Sequence, residues 1–167
     1  ADKVRGPDGF LSGMADQFLF SGANGVGFST IRVLDKLYSN PTKYVPLFEK
    51  NAQNFMLEVQ RLDPAVHGLN HYEKDAFTTD GGSFAPGKKL HFPKESFRGM
   101  MIYPASLDLD TFGGPTKSIA RALEFDPDRP NLDKTVNFAG PLSKVQQGTA
   151  PRGCPGYGLS MSLIEDF

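Results

Sequence analysis

The chain contains a single cysteine, Cys154, and its surroundings restrict the fold more than any other stretch. Residues 136–167 read VNFAGPLSKVQQGTAPRGCPGYGLSMSLIEDF. The cysteine stands where a loop rich in Gly, Pro and Gln gives way to Leu159, Met161, Leu163 and Ile164, an apolar set that opens a helix. A thiol at the mouth of a helix lies near the positive end of the dipole and near unpaired N–H groups, and both favour the thiolate that bonds a metal. Glycine beside it lets backbone approach a flat ligand closely. In an arbitrary chain a lone cysteine is more often a small buried hydrophobe, so the remaining sequence has to decide.

Length and composition narrow the choice. A chain of 167 residues can build one domain with its own core. Eighteen basic residues against 19 acidic ones leave a formal net charge of −1, which argues against an electrostatic nucleic-acid partner. One cysteine excludes an internal disulfide framework. No apolar run is long enough for a transmembrane segment. Eighteen Gly and 13 Pro require extensive loops, so a large ligand or a partner is expected to help complete the core. The chain begins at Ala1 rather than Met, as a processed or fragmentary chain would.

Read in order, Phe10 to Tyr38 carries apolar residues at helical spacing, interrupted by Ser21-Gly22-Ala23-Asn24-Gly25-Val26-Gly27. Each glycine inside a helix costs roughly 1 kcal/mol against alanine. The interruption therefore marks either a turn approached closely by a flat ligand or the join of two ordinary helices. After Asn40-Pro41, the segment from Tyr44 to Leu62 reads as one amphipathic helix ending before Pro64, with Glu58 and Arg61 on one face at i and i+3. From Pro64 to Met101 the pattern turns strand-like. Asp80-Gly81-Gly82 suits a hairpin turn and Pro86-Gly87 another, and runs around Phe77, Leu90 and Met100 to Tyr103 are expected to join in a small sheet. Ser118 to Leu123 fits one helical turn, and Phe125 to Pro130 an irregular segment whose Arg129 can point inward. His67, His71 and His91 lack a metal-ligand spacing, and surface or pocket-lining roles are expected of them. There is no repeat and no internal boundary, so residues 1–167 form a single unit, mainly α with a small β region.

Glu58-x-x-Arg61 on a helix, then Phe125-x-Pro127-x-Arg129, then Arg152-x-Cys154-x-Gly156 before a helix, follow one another in a telling order. This order resembles the C-terminal half of a cytochrome P-450, over roughly Phe10 to Phe167. The resemblance implies a partial P-450 fold with a distal helix, an ExxR helix, a small sheet, a cysteine-ligand loop and the start of the following helix. It implies heme b as cofactor, with the Cys154 thiolate as axial metal ligand, Arg152 on a heme propionate and Gly156 beside the ring. Glu58, Arg61 and Arg129 become a structural cluster. The N-terminal half of the P-450 fold has no counterpart in the sequence.

Finer detail is similar to one branch. Glu58 to Asp75, EVQRLDPAVHGLNHYEKD, resembles the ExxRxxPPVxxxYGRAKKD stretch of plant-type hydroperoxide-metabolising P-450s, and Phe138-Ala139-Gly140-Pro141 is followed by a lengthened loop as in that branch. The branch holds allene oxide synthases and hydroperoxide lyases. It implies a lyase, isomerase or dehydratase acting on a fatty-acid hydroperoxide without O₂ or a reductase, in oxylipin chemistry and in the plastid (chloroplast). Ser29 stands where a monooxygenase carries an acid beside Thr30. For the catalytic group over the iron, alignment on Phe20 gives Ser21, while Asn24 is the better chemical candidate. The missing half also points to an alternative, a second class of function. There the chain is a shortened P-450-like subunit, without turnover, docked to a complementary polypeptide or a larger plastid membrane complex.

Overall fold

The computed structural model describes residues 23–81, 85–138, 142–150, 153, 154 and 156–166. Three helices lead. Helix α1 spans Asn24–Ser39, α2 spans Pro41–Lys50 and α3 spans Ala52–Leu62. The sequence reads as one helix from Tyr44 to Leu62, but the structure divides it at Asn51. That residue leaves helical geometry at φ −160°, and its side chain accepts a hydrogen bond from the Asn54 amide at 2.9 Å. Asn40 caps α2 in the same way, with Pro41 at the first helical position. Asparagine competes for the backbone in this manner more readily than it continues a helix.

Helix α3 is the centre of the molecule rather than an amphipathic surface helix. Every residue from Phe55 to Arg61 is buried, including Glu58, Gln60 and Arg61. Phe55 is completely covered, and Tyr44, Phe48 and Phe125 meet its ring edge-on at centroid distances of 5.0–6.3 Å. Val33 of α1 and Met56, Leu57 and Val59 of α3 complete that side of the core. It continues into α7 (Leu142–Gln146) and α8 (Tyr157–Glu165) through Leu142, Val145, Tyr157, Met161 and Ile164.

The β region is two separate antiparallel pairs, not one small sheet. Strand β1 (Gly68–Glu73) pairs with β4 (Ser96–Met101), Gly68 opposite Met101 and Glu73 opposite Ser96. Strands β2 (Phe77–Asp80) and β3 (Lys89–Phe92) pair between them in sequence, with Phe77 and Phe92 stacked at 4.8 Å. Asp80 faces Lys89, so residues 81–88 join the two strands, and the expected turn at Gly81-Gly82 falls partly on 82–84, outside the described residues. Gly81 is required there. A Cβ on it would lie 2.4 Å from the Ala85 carbonyl oxygen. Ile102 and Tyr103 leave the ladder, both donating their N–H groups to the His67 carbonyl, and begin the short helix α4 (Ile102–Ala105). Short helices α5 (Leu109–Phe112) and α6 (Ile119–Leu123) follow, the latter capped by Ser118, and an irregular segment leads to α7. Among the described residues no helix is long and apolar enough to cross a membrane.

Candidate functional site

Burying α3 on all sides creates a problem that its own neighbours solve. Glu58 and Arg61, one turn apart, have no exposed side-chain surface. Arg61 grips the carboxylate with two parallel bonds, Nε to Oε2 at 2.7 Å and Nη2 to Oε1 at 2.8 Å. Its Nη1 donates to the Ser106 carbonyl at 2.9 Å, and its guanidinium lies 5.0 Å over the Phe112 ring. Arg129 approaches from the segment before α7, its Nε 3.5 Å from Glu58 Oε1. Its Nη1 donates to the Phe112 carbonyl at 2.7 Å, and its Nη2 to the carbonyls of Arg121 and Glu124 at 3.0 and 2.9 Å. The Asp126 amide donates to Glu58 Oε1 at 3.0 Å. Two guanidinium groups face one carboxylate, so the excess positive charge rests on backbone carbonyl oxygens. Burial first, and then the positive charges of Arg61 and Arg121, hold the Arg129 pKa below the usual arginine value against the pull of Glu58, although arginine stays charged at any working pH. The cluster ties α3 to the ends of α4, α5 and α6 and to the 124–129 segment.

The thiol lies at the other end of the core. Cys154 is free and half-buried. Its N–H donates to the Phe138 carbonyl at 2.9 Å, and its own carbonyl accepts from the Tyr157 amide at 3.3 Å as α8 begins. Gly156 caps α8 without a side chain, and a Cβ there would sit 3.9 Å from the sulfur. A larger side chain would therefore cover it. Gly153 is fixed by packing, since a Cβ would meet the Ala150 Cβ at 2.8 Å. A cavity of about 500 Å³ adjoins this turn, lined among others by Val145, Gln146, Ala150, Cys154, Tyr157 and Gly158. Tyr157 was not singled out from the sequence. Its hydroxyl accepts from the Gln53 and Gln146 side-chain amides at 2.8 and 3.2 Å, and its ring meets Phe138 edge-on at 4.8 Å. The available signal was a tyrosine among glycines, whose half-polar ring needs both a packing surface and a hydroxyl partner.

Other sequence-derived candidates fall apart from these two. Asn24 is the first residue of α1 and is exposed. Gly25 and Gly27 follow in the same turn, with nothing within 4 Å of a Cβ built on either. Ser29 is buried, and Thr30 Oγ1 donates to the Val26 carbonyl at 2.9 Å within the helix. Phe28 and Ile31 stay 51% and 60% exposed on the outer side. Ser21 and Arg152 lie outside the described residues. His67 is exposed, 3.9 Å from Asp63, and His91 pairs with Thr78 on the hairpin. Among the described residues no three His, Cys, Asp or Glu side chains gather to hold a metal ion.

No family model matches the sequence, and none of the curated proteins compared with it matches. Solved structures do match, among them the heme domain of a P450 from Tepidiphilus thermophilus, at a TM-score of 0.69 and 17% sequence identity. The likeness covers 95% of this chain and 33% of that one, so the chain spans about a third of the length of that domain. At this identity the likeness shows the fold. The chain is mainly helical with small antiparallel strand pairs, and has the fold of part of a P450 heme domain.

Proposed function

We propose that this chain forms the thiolate side of a P450-like heme site and that the site acts on fatty-acid hydroperoxides. The observation that carries the reading is the Cys154 turn, a half-buried free thiol between glycines ahead of α8, within a fold shared with a P450 heme domain. The donor set fits heme, because the ring brings four of the iron ligands and asks the protein for an axial one. Cys154 would hold that position, with Gly156 leaving the sulfur uncovered. When bound, heme supplies the iron at which a peroxide O–O bond is split.

The rest of the chemistry falls to the chain. The Cys154 N–H is held by Phe138, so the sulfur is presented from a fixed backbone. The Thr30 hydroxyl donates inside its own helix and Ser29 is buried, so neither offers a proton to the outer face of α1. A hydroperoxide brings its O–O bond already formed, and a reaction without a proton relay suits this helix better than one that must activate O₂. Asn24, exposed on the first turn of α1, is the candidate for steering the substrate. A second reading rests on a different observation. Phe28 and Ile31 on α1 and Leu159 and Leu163 on α8 are large apolar side chains left about half exposed, as on a subunit docked within a larger assembly.

Heme titration of the purified chain decides between them. Wild type should take up one heme with a thiolate-type Soret band, and Cys154→Ser should lose that band. The loaded protein should convert a polyunsaturated fatty-acid hydroperoxide without NADPH or reductase, with an altered product ratio in Asn24→Ala. Strict dependence on a reductase would place the chemistry among monooxygenases. No uptake and no turnover would leave the subunit reading.

A further inference from the structure

The Cys154 turn is closed by a ring of contacts that passes through two aromatic side chains. The Cys154 N–H donates to the Phe138 carbonyl, the Phe138 ring packs edge-on against Tyr157, and the Tyr157 amide donates back to the Cys154 carbonyl. The far end of Tyr157 is anchored outside this ring. Its hydroxyl accepts from Gln53 on the first turn of α3 and from Gln146 at the end of α7. Gly153 and Gly156, on either side of the sulfur, have no side chains with which to hold the turn themselves. Backbone bonds from Gly153 to Ala150 and from Ala150 to Lys144 also lead from the turn to α7, but the Tyr157 side chain reaches both α3 and α7 at once.

We infer that Tyr157 is a positioning residue for the Cys154 sulfur, acting through its hydroxyl rather than through its ring alone. The inference rests on the reading of Cys154 as a metal ligand only for its consequence, a fixed sulfur. The fastening itself is a property of the chain without any bound group. Glutamines 53 and 146 are both exposed enough to turn to water when their partner is lost, so Tyr157→Phe keeps the ring packing and should keep the fold. What it removes is the anchor, and the turn should then open more often on its own.

Amide hydrogen exchange reads this directly, because local opening and global unfolding expose different sets of N–H groups. In the chain without heme, Tyr157→Phe should lower the protection of the Cys154 and Tyr157 amides by roughly three- to tenfold, the effect of losing hydrogen bonds of ordinary strength. Protection of residues 55–61 in α3 should not change. Tyr157→Leu, which also removes the aromatic packing, should lower the same amides further. With heme added, Tyr157→Phe should show a weakened thiolate-type Soret band. Unchanged protection at Cys154 would overturn the inference, and so would an equal loss at α3, which marks a purely structural residue. If wild type takes up no heme, the heme reading fails while the exchange comparison still decides the role of Tyr157.

Discussion

Around Glu58, charge is buried deep and almost every donor meets an acceptor; around Cys154, the polar groups are few and open space begins beside them. Arg61 uses all three nitrogens on Glu58 and on backbone carbonyls, and Arg129 adds three more carbonyl contacts. The thiol turn is held by backbone hydrogen bonds of Gly153, Cys154 and Tyr157 and by the ring and hydroxyl of Tyr157. The difference follows from burial. A charge without water must be satisfied completely or not be there, whereas a half-buried thiol pays little for an unfilled neighbourhood and can accept a ligand. One end of the core is closed around its charges, and the other opens onto a cavity.

The largest expected effect tests the closed end. Arg61→Ala leaves Glu58 buried without its bidentate partner and should destabilise the protein by about 3–5 kcal/mol, seen as a large loss in a urea melt or as insoluble protein. Arg61→Lys should not rescue it, because an ammonium group cannot form the two parallel bonds. A loss below about 1 kcal/mol would erase the contrast between the two ends. Next in size, Gly153→Ala drives a methyl group into Ala150 and should cost about 1–3 kcal/mol. The urea melt should show it, and amides near Cys154 should lose more protection than those of α3. A matching exchange increase in α3 would mean that the two ends are not independent.

Smaller effects sharpen the comparison. Asn51→Ala removes the cap between α2 and α3 and should cost about 1 kcal/mol by the same melt. The smallest belongs to the solvated ion pair Lys50–Asp128, 2.7 Å apart with both side chains more than half exposed. A double-mutant cycle there should return 0–1 kcal/mol and fade in salt. A larger coupling would show that even the outer ion pairs brace the 124–129 segment around Arg129.

Local chemistry was legible in the sequence wherever it depends on spacing. Glu58 and Arg61 at i and i+3 share a helix face whatever surrounds them. A serine at 118 ahead of an apolar turn caps it, and a cysteine followed by Pro155-Gly156 precedes a helix. The break at Asn51 was less legible, because an asparagine within an apolar periodicity reads as a tolerated polar residue until its side chain is seen to take the Asn54 amide. The strand pairing was legible only for the inner pair, where the runs around Phe77 and Leu90 flank turn residues. Residues 68–103 hold strand-like runs separated by turns, and nothing local states that the first pairs with the last and encloses the other two.

Only the tertiary structure decided which faces are inside. Spacing puts Glu58 and Arg61 together. Burial on every side of α3 turns that pair from a weak surface contact into a cluster that needs the carbonyls of residues 106, 112, 121 and 124. Those oxygens lie up to 66 residues from Glu58 along the chain. Tyr157 shows the same limit from the other direction. The sequence places it three residues after the thiol, but its importance comes from Gln53, which is 104 residues away. Local propensity acts over a few bonds, while desolvation and long-range hydrogen bonding depend on what the folded chain brings near. Hence the motifs belong to the sequence, and their energetic weight belongs to the fold.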